Sequence, residues 1–71
     1  MTDEQQPVLT ERMRQVLTGI AAGQKNDEIA QGLGISSKTV EKHRDALYTA
    51  FSVKNAVSLV VTAHRKGIIS L

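Results

Sequence analysis

Apolar residues recur along this chain at helical spacing in four separate stretches. Met13, Val16, Leu17, Ile20 and Ala21 stand at i, i+3, i+4, i+7 and i+8, one apolar stripe on a helix. Thr10 is placed to cap it, with Glu11 at the positive end of the helix dipole. Gly23 supplies the left-handed residue that stops it. A second, shorter stripe follows in Ile29, Ala30 and Leu33. Asn26 is the N-cap candidate there, with Asp27 and Glu28 in the first turn behind it. Gly34 reads as a turn residue with positive φ. Ser36 then caps a third helix whose buried side is Val40, Leu47, Ala50 and Phe51. Ser52 and Val53 interrupt the pattern. Asn55 opens a fourth helix over roughly 56–66, stopped by Gly67 ahead of Ile68, Ile69 and Leu71. No alternating run, hairpin dipeptide or internal repeat occurs. The expected fold is all-α, a four-helix domain over 9–71 behind a flexible tail at 1–8 that Pro7 helps to end.

Composition narrows this further. The 71 residues allow one small domain. Aromatics are 3%, only Tyr48 and Phe51, so the core has to be aliphatic. A core of that size supports roughly 3–5 kcal/mol of stability and cannot enclose a deep active site. With no Cys, disulfide scaffolds, thiolate zinc sites and cysteine nucleophiles are excluded. Two histidines, His43 and His64, stand 21 positions apart, a poor basis for a metal site. Nucleophile elbow, phosphate loop and paired-carboxylate pocket are all missing, so the reading is not an enzyme, with no catalytic residue, metal or cofactor. No apolar run reaches the ~20 residues that span a bilayer, and the acidic start is unlike a signal peptide. A cytoplasmic protein without a membrane partner is the expectation.

Charge is unevenly distributed. The formal net charge is +2, but Asp3, Glu4 and Glu11 precede the first basic residue, Arg12. Residues 12–71 hold nine basic against four acidic side chains, a formal +5, and the isoelectric point is near 9.3. Such a balance suits a polyanionic partner. It is equally compatible with an ordinary basic surface.

The stretch Asn26–Phe51 is a short helix, a glycine turn and a longer helix. Ala30, Gly34 and Val40 are spaced by four and then six residues. Ala30 is small where the second helix crosses it, Gly34 permits the sharp turn, and Val40 fills the angle between the helices. This is the pattern of a helix-turn-helix, whose second helix can enter the major groove of duplex DNA.

Around that core the chain resembles the LuxR-type helix-turn-helix family, also named for the spore regulator GerE. The matching residues are Leu9-Thr10-Glu11-Arg12 with Val16-Leu17, Ala21-Ala22-Gly23, and Asn26-Asp27-Glu28-Ile29-Ala30. They continue as Leu33-Gly34-Ile35-Ser36-Ser37-Lys38-Thr39-Val40-Glu41-Lys42-His43 and end at Gly67-Ile68-Ile69. The resemblance runs from residue 9 to 69 in register without a gap. Region 4 of bacterial sigma factors is similar over 9–51, but the fourth helix and Gly67-Ile68-Ile69 favour the LuxR type. The chain departs from the family at several places. Glu41 stands where the family has Lys, and Asp45 where it often has a basic or amide residue. Ala46 and Ala50 replace Asn and Lys, and Met13 replaces Glu.

The resemblance implies a transcriptional regulator that binds double-stranded DNA through a recognition helix over 37–51. It also implies a homodimer through the fourth helix. Candidate DNA contacts are Arg12, Ser36, Ser37, Lys38, Thr39, Lys42, His43 and Arg44, several of them at a helix N-terminus where phosphate is favoured. Lys42 and Arg44 are expected on the exposed part of the third helix. Glu41 and Asp45 face the same groove and are repelled by phosphate unless each accepts a hydrogen bond, most naturally from cytosine N4. Ordinary readings stand beside these: capping for Ser36, packing for His43, a surface position for His64, and a surface pair for Arg12 with Glu28. In the fourth helix Ala56, Leu59, Val60 and Ala63 suffice for docking on the domain. Val57 and Val61, rimmed by Ser58 and His64, are then surplus and form the candidate dimer face. The open start with its own Met suggests a stand-alone regulator, and an excised domain would look the same. The competing function is a protein-interaction module that binds another regulator or RNA polymerase, motivated by Glu41 and Asp45.

Overall fold

Each of the expected stripes becomes a helix. The computed structural model describes residues 8–70, so most of the expected tail, residues 1–7, and the C-terminal Leu71 lie outside the described residues. Among the described residues the elements are α1 (Glu11–Ala21), α2 (Asn26–Leu33), α3 (Ser37–Phe51) and α4 (Ala56–Arg65), with no strand. No single helix among them is long and apolar enough to cross a membrane.

The helix starts follow from short polar side chains that satisfy the free N–H groups of a first turn. Thr10 accepts from the Met13 N–H at 3.1 Å, Ser36 from Thr39 at 3.0 Å, and Asn55 from Ser58 at 2.8 Å. The start of α2 differs from expectation. Its N-cap is Lys25, and Asn26 is already the first helical residue. The Glu28 carboxylate accepts from the Lys25 backbone N–H at 2.8 Å, the carboxylate half of a capping box. Asn26 is thereby released for a different bond, described below.

At the other end of α2, Gly34 adopts φ 71° and ψ 32°, a left-handed conformation that costs glycine little. The Ile35 N–H then returns to the Ala30 carbonyl at 3.0 Å, closing the turn. Where α3 ends no glycine marks the stop. Ser52 takes the left-handed conformation itself (φ 57°), and the Val53 N–H bonds to the Tyr48 carbonyl.

The core is built from the predicted stripes: Val16, Leu17 and Ile20 of α1, Ile29 and Ala30 of α2, Val40, Leu47 and Phe51 of α3, and Leu59 and Ala63 of α4. α1 and α3 form its centre and touch every other helix, while α2 and α4 flank them without touching one another. No polar or charged residue is buried among the described residues. Burial of aliphatic surface therefore dominates the stability of the domain.

Candidate nucleic-acid interface

The helix-turn-helix geometry positions α3. Ala30 of α2 and Val40 of α3 are both buried in the core, and α2 packs against α3, as the expected small-residue crossing requires. With Val40, Leu47 and Phe51 turned into the core, a period of about 3.6 residues places Lys38, Glu41, Lys42, Asp45 and Thr49 on the opposite side. All five are exposed. They divide into a basic edge, Lys38 and Lys42, and an acidic edge, Glu41 and Asp45, each pair one helical turn apart. The face thus carries full charges of both signs in water, where they interact with each other only weakly.

The candidates at the start of α3 are occupied within the protein. Ser36 caps the helix, and its hydroxyl lies 2.9 Å from that of Thr39. Ser37 is half-buried and donates to Asp27 Oδ1 at 2.5 Å. The N–H groups of Ser37 and Lys38 belong to the first turn, which lacks intrahelical acceptors and favours anions.

Arg44 is not on the exposed part of α3, contrary to expectation. It is half-buried on the flank facing α2. Its Nη1 donates to Asn26 Oδ1 at 3.0 Å and its Nη2 to the Tyr48 hydroxyl at 3.1 Å. The guanidinium carbon lies 5.9 Å from the Tyr48 ring centroid, the outer limit of a cation–π contact. The shift arises because Arg44 sits beside the apolar stripe, where an acceptor on α2 can capture it. The local sequence does not announce this pairing, because Asn26 ahead of Asp27 and Glu28 reads as an N-cap.

Arg12 is also half-buried, and its Nη1 donates to the Leu33 carbonyl at 3.4 Å. The expected pair with Glu28 is replaced by two backbone bonds: Arg12 serves the C-terminal end of α2, and Glu28 serves its N-terminal end. His43 is half-buried on the far flank of α3.

On α4, Val57 is 74% exposed and Val61 43% exposed, as surplus apolar residues should be. With Ile20, Ala56 and Val60 they line a shallow apolar groove. Ser58 is half-buried, and His64 is exposed with Nδ1 3.4 Å from the Ile69 carbonyl.

The family described as "Bacterial regulatory proteins, luxR family" matches residues 7–63. The uncharacterized response regulatory protein YgeK of Escherichia coli (strain K12) is 40% identical over 63 residues, covering 89% of this chain and 43% of YgeK. The transcriptional regulatory protein MctR of Rhizobium johnstonii is 42% identical over 62 residues, 87% of this chain and 29% of MctR. The transcriptional regulatory protein FixJ of Rhizobium meliloti (strain 1021) is 44% identical over 59 residues, 83% of this chain and 29% of FixJ. The chain spans less than half the length of these curated relatives.

Proposed function

This chain belongs to the luxR family of bacterial regulatory proteins, and on that premise we propose that it regulates transcription by binding duplex DNA sequence-specifically through α3. The observation that carries the reading is the outward face of α3, which is exposed, outside the core and set at the far side of a glycine turn. A helix presented in this way fits the major groove.

Lys38 and Lys42 supply the cationic contacts, with the N-terminal N–H groups of α3 on a phosphate. Arg12 and His43, both half-buried, are secondary candidates for phosphate contact. Glu41 and Asp45 make the readout selective: in a groove edged by phosphates, each is tolerated only opposite a donor such as cytosine N4. Two copies meet through Val57 and Val61 of α4, which gives two-fold symmetry and a palindromic operator with half-sites about 34–36 Å apart.

A second reading is favoured by the acidic edge of α3. In it the same face docks on another regulator or on RNA polymerase, and DNA affinity is weak.

Selection of bound duplexes from a random library, followed by a salt titration on the enriched sequence, tests the proposal. A steep linear fall of log K with log salt, about 0.9 per phosphate neutralised, is expected. Failure to enrich any duplex at low salt would discard the DNA reading in favour of the second.

A further inference from the structure

The flank of α3 that faces α2 carries a bracing device. Asn26 and Asp27 are consecutive residues in the first turn of α2, and each holds a different point of α3. Asp27 accepts from Ser37, the first residue of α3, and Asn26 accepts from Arg44 near its middle. The two attachment points are seven residues apart, about 10 Å along the axis at 1.5 Å per residue. Val40, the apolar pivot of the crossing, lies between them. Two bonds on either side of a pivot resist rotation of α3 about it, which neither bond could do alone. Tyr48 completes the arrangement by accepting a second N–H from Arg44, so the guanidinium is held at two points.

We propose that Arg44 is a positioning residue: bonded to Asn26 and Tyr48, it fixes the angle at which α2 presents the outward face of α3. It is not itself a phosphate ligand. This rests on the DNA reading above and deepens it by separating residues that touch the duplex from one that aims them. Part of the basic charge at the motif is thereby spent inside the domain, which leaves Lys38 and Lys42 as the cations of the outward face.

The test is a double-mutant cycle on the full chain with Asn26→Ala, Arg44→Met and the two combined. Affinity is measured for the enriched duplex and for random duplex across a salt series. Inter-helix orientation is measured in free protein by residual dipolar couplings. Each single variant is expected to lose about three- to tenfold in affinity for the enriched duplex. Random duplex should be much less affected, and the salt slope should stay unchanged. The double variant should be no worse than Arg44→Met alone, because that variant already removes the bond to Asn26. The couplings should show α3 turned on α2 in both single variants.

A phosphate ligand behaves differently. Arg44→Met would then lower the salt slope by about 0.9, weaken enriched and random duplex in parallel, and show no coupling to Asn26→Ala; that result overturns the proposal. An unchanged α2–α3 orientation in both single variants overturns it as well, whatever the DNA measurements give. Should the wild type enrich no duplex, the DNA reading falls, and the dipolar couplings alone still decide whether Arg44 braces α3.

Discussion

A methyl group added at Gly19 should destabilise the domain, although the same change elsewhere in a helix stabilises it. Gly19 is a buried position within α1, beside α2. A Cβ built there would lie 2.7 Å from Ile29 Cγ1, 3.1 Å from Ile29 Cδ1 and 3.0 Å from Gln24 Oε1. Carbon atoms rest at about 3.5–4.0 Å, so the new group intrudes by roughly 1 Å. Gln24 is exposed and can swing aside. Ile29 is 2% exposed and stiff at χ1, so α2 has to move instead. Overpacking of this kind costs about 1–3 kcal/mol, against a helix-propensity gain of about 1 kcal/mol for Gly to Ala. Gly19→Ala should therefore lose about 1 kcal/mol, equivalent to about 4–8 °C in Tm for a domain of this size. Gly32→Ala is the matched control. Gly32 lies in α2, and a Cβ there meets nothing within 4 Å, so it should gain about 0.5–1 kcal/mol. Urea denaturation of both variants, followed by far-ultraviolet circular dichroism, gives the comparison. Stabilisation of equal size in both would refute the tight α1–α2 approach.

Further outcomes concern the outward face and α4. Lys42→Ala should cost about 1–3 kcal/mol of affinity for the enriched duplex if Lys42 reads a base, and less, with a shallower salt slope, if it meets phosphate; unchanged binding in both Lys42→Ala and Lys38→Ala would remove α3 from the interface. Glu41→Lys changes the local charge by two units and should raise affinity for random duplex in a shift assay. If Glu41 accepts from cytosine N4, the same variant should bind its own enriched site more weakly, and indifference to both duplexes would place Glu41 outside the contact. Val61→Glu puts a charge into the exposed apolar groove of α4 and should weaken self-association on operator duplex, read by sedimentation with and without DNA. Monomeric binding to a single half-site that ignores this variant would contradict the dimer.

What could be read in advance follows the range of the interactions. Thr10, Ser36 and Asn55 cap within three residues of their partners, so their role is visible in the local sequence. The exposure of Lys38, Glu41, Lys42 and Asp45 follows from the helical period once Val40, Leu47 and Phe51 are taken as core. Asn26 misled because its residue type is a strong capping signal, while its actual partner lies 18 positions away. Nothing local distinguishes those two uses. Arg44 misled for the same reason from the other side, since a flank position is settled by whichever acceptor the neighbouring helix offers. Gly19 was also hidden: a glycine inside a helix signals a close approach only when the approaching helix is known. Ser52 adopts a glycine-like conformation that its residue type does not announce.

The absence of buried polar residues in the described core bears on why the brace sits at the flank. Ala30 offers only a methyl group, Val40 is equally apolar, and both are buried in the core. Apolar packing fixes how close α2 and α3 lie but discriminates poorly between nearby angles, because dispersion and burial are not directional. Hydrogen bonds are directional, and the exposed bond from Ser37 and the part-buried one from Arg44 supply the missing angular restraint. The outward face is then relieved of any structural duty. Substitutions at exposed Glu41 and Asp45 should change stability by no more than about 0.5 kcal/mol, so the sequence preference of α3 can change without disturbing the fold that aims it. On the DNA reading proposed above, Glu41 and Asp45 are therefore free to vary without cost to the scaffold.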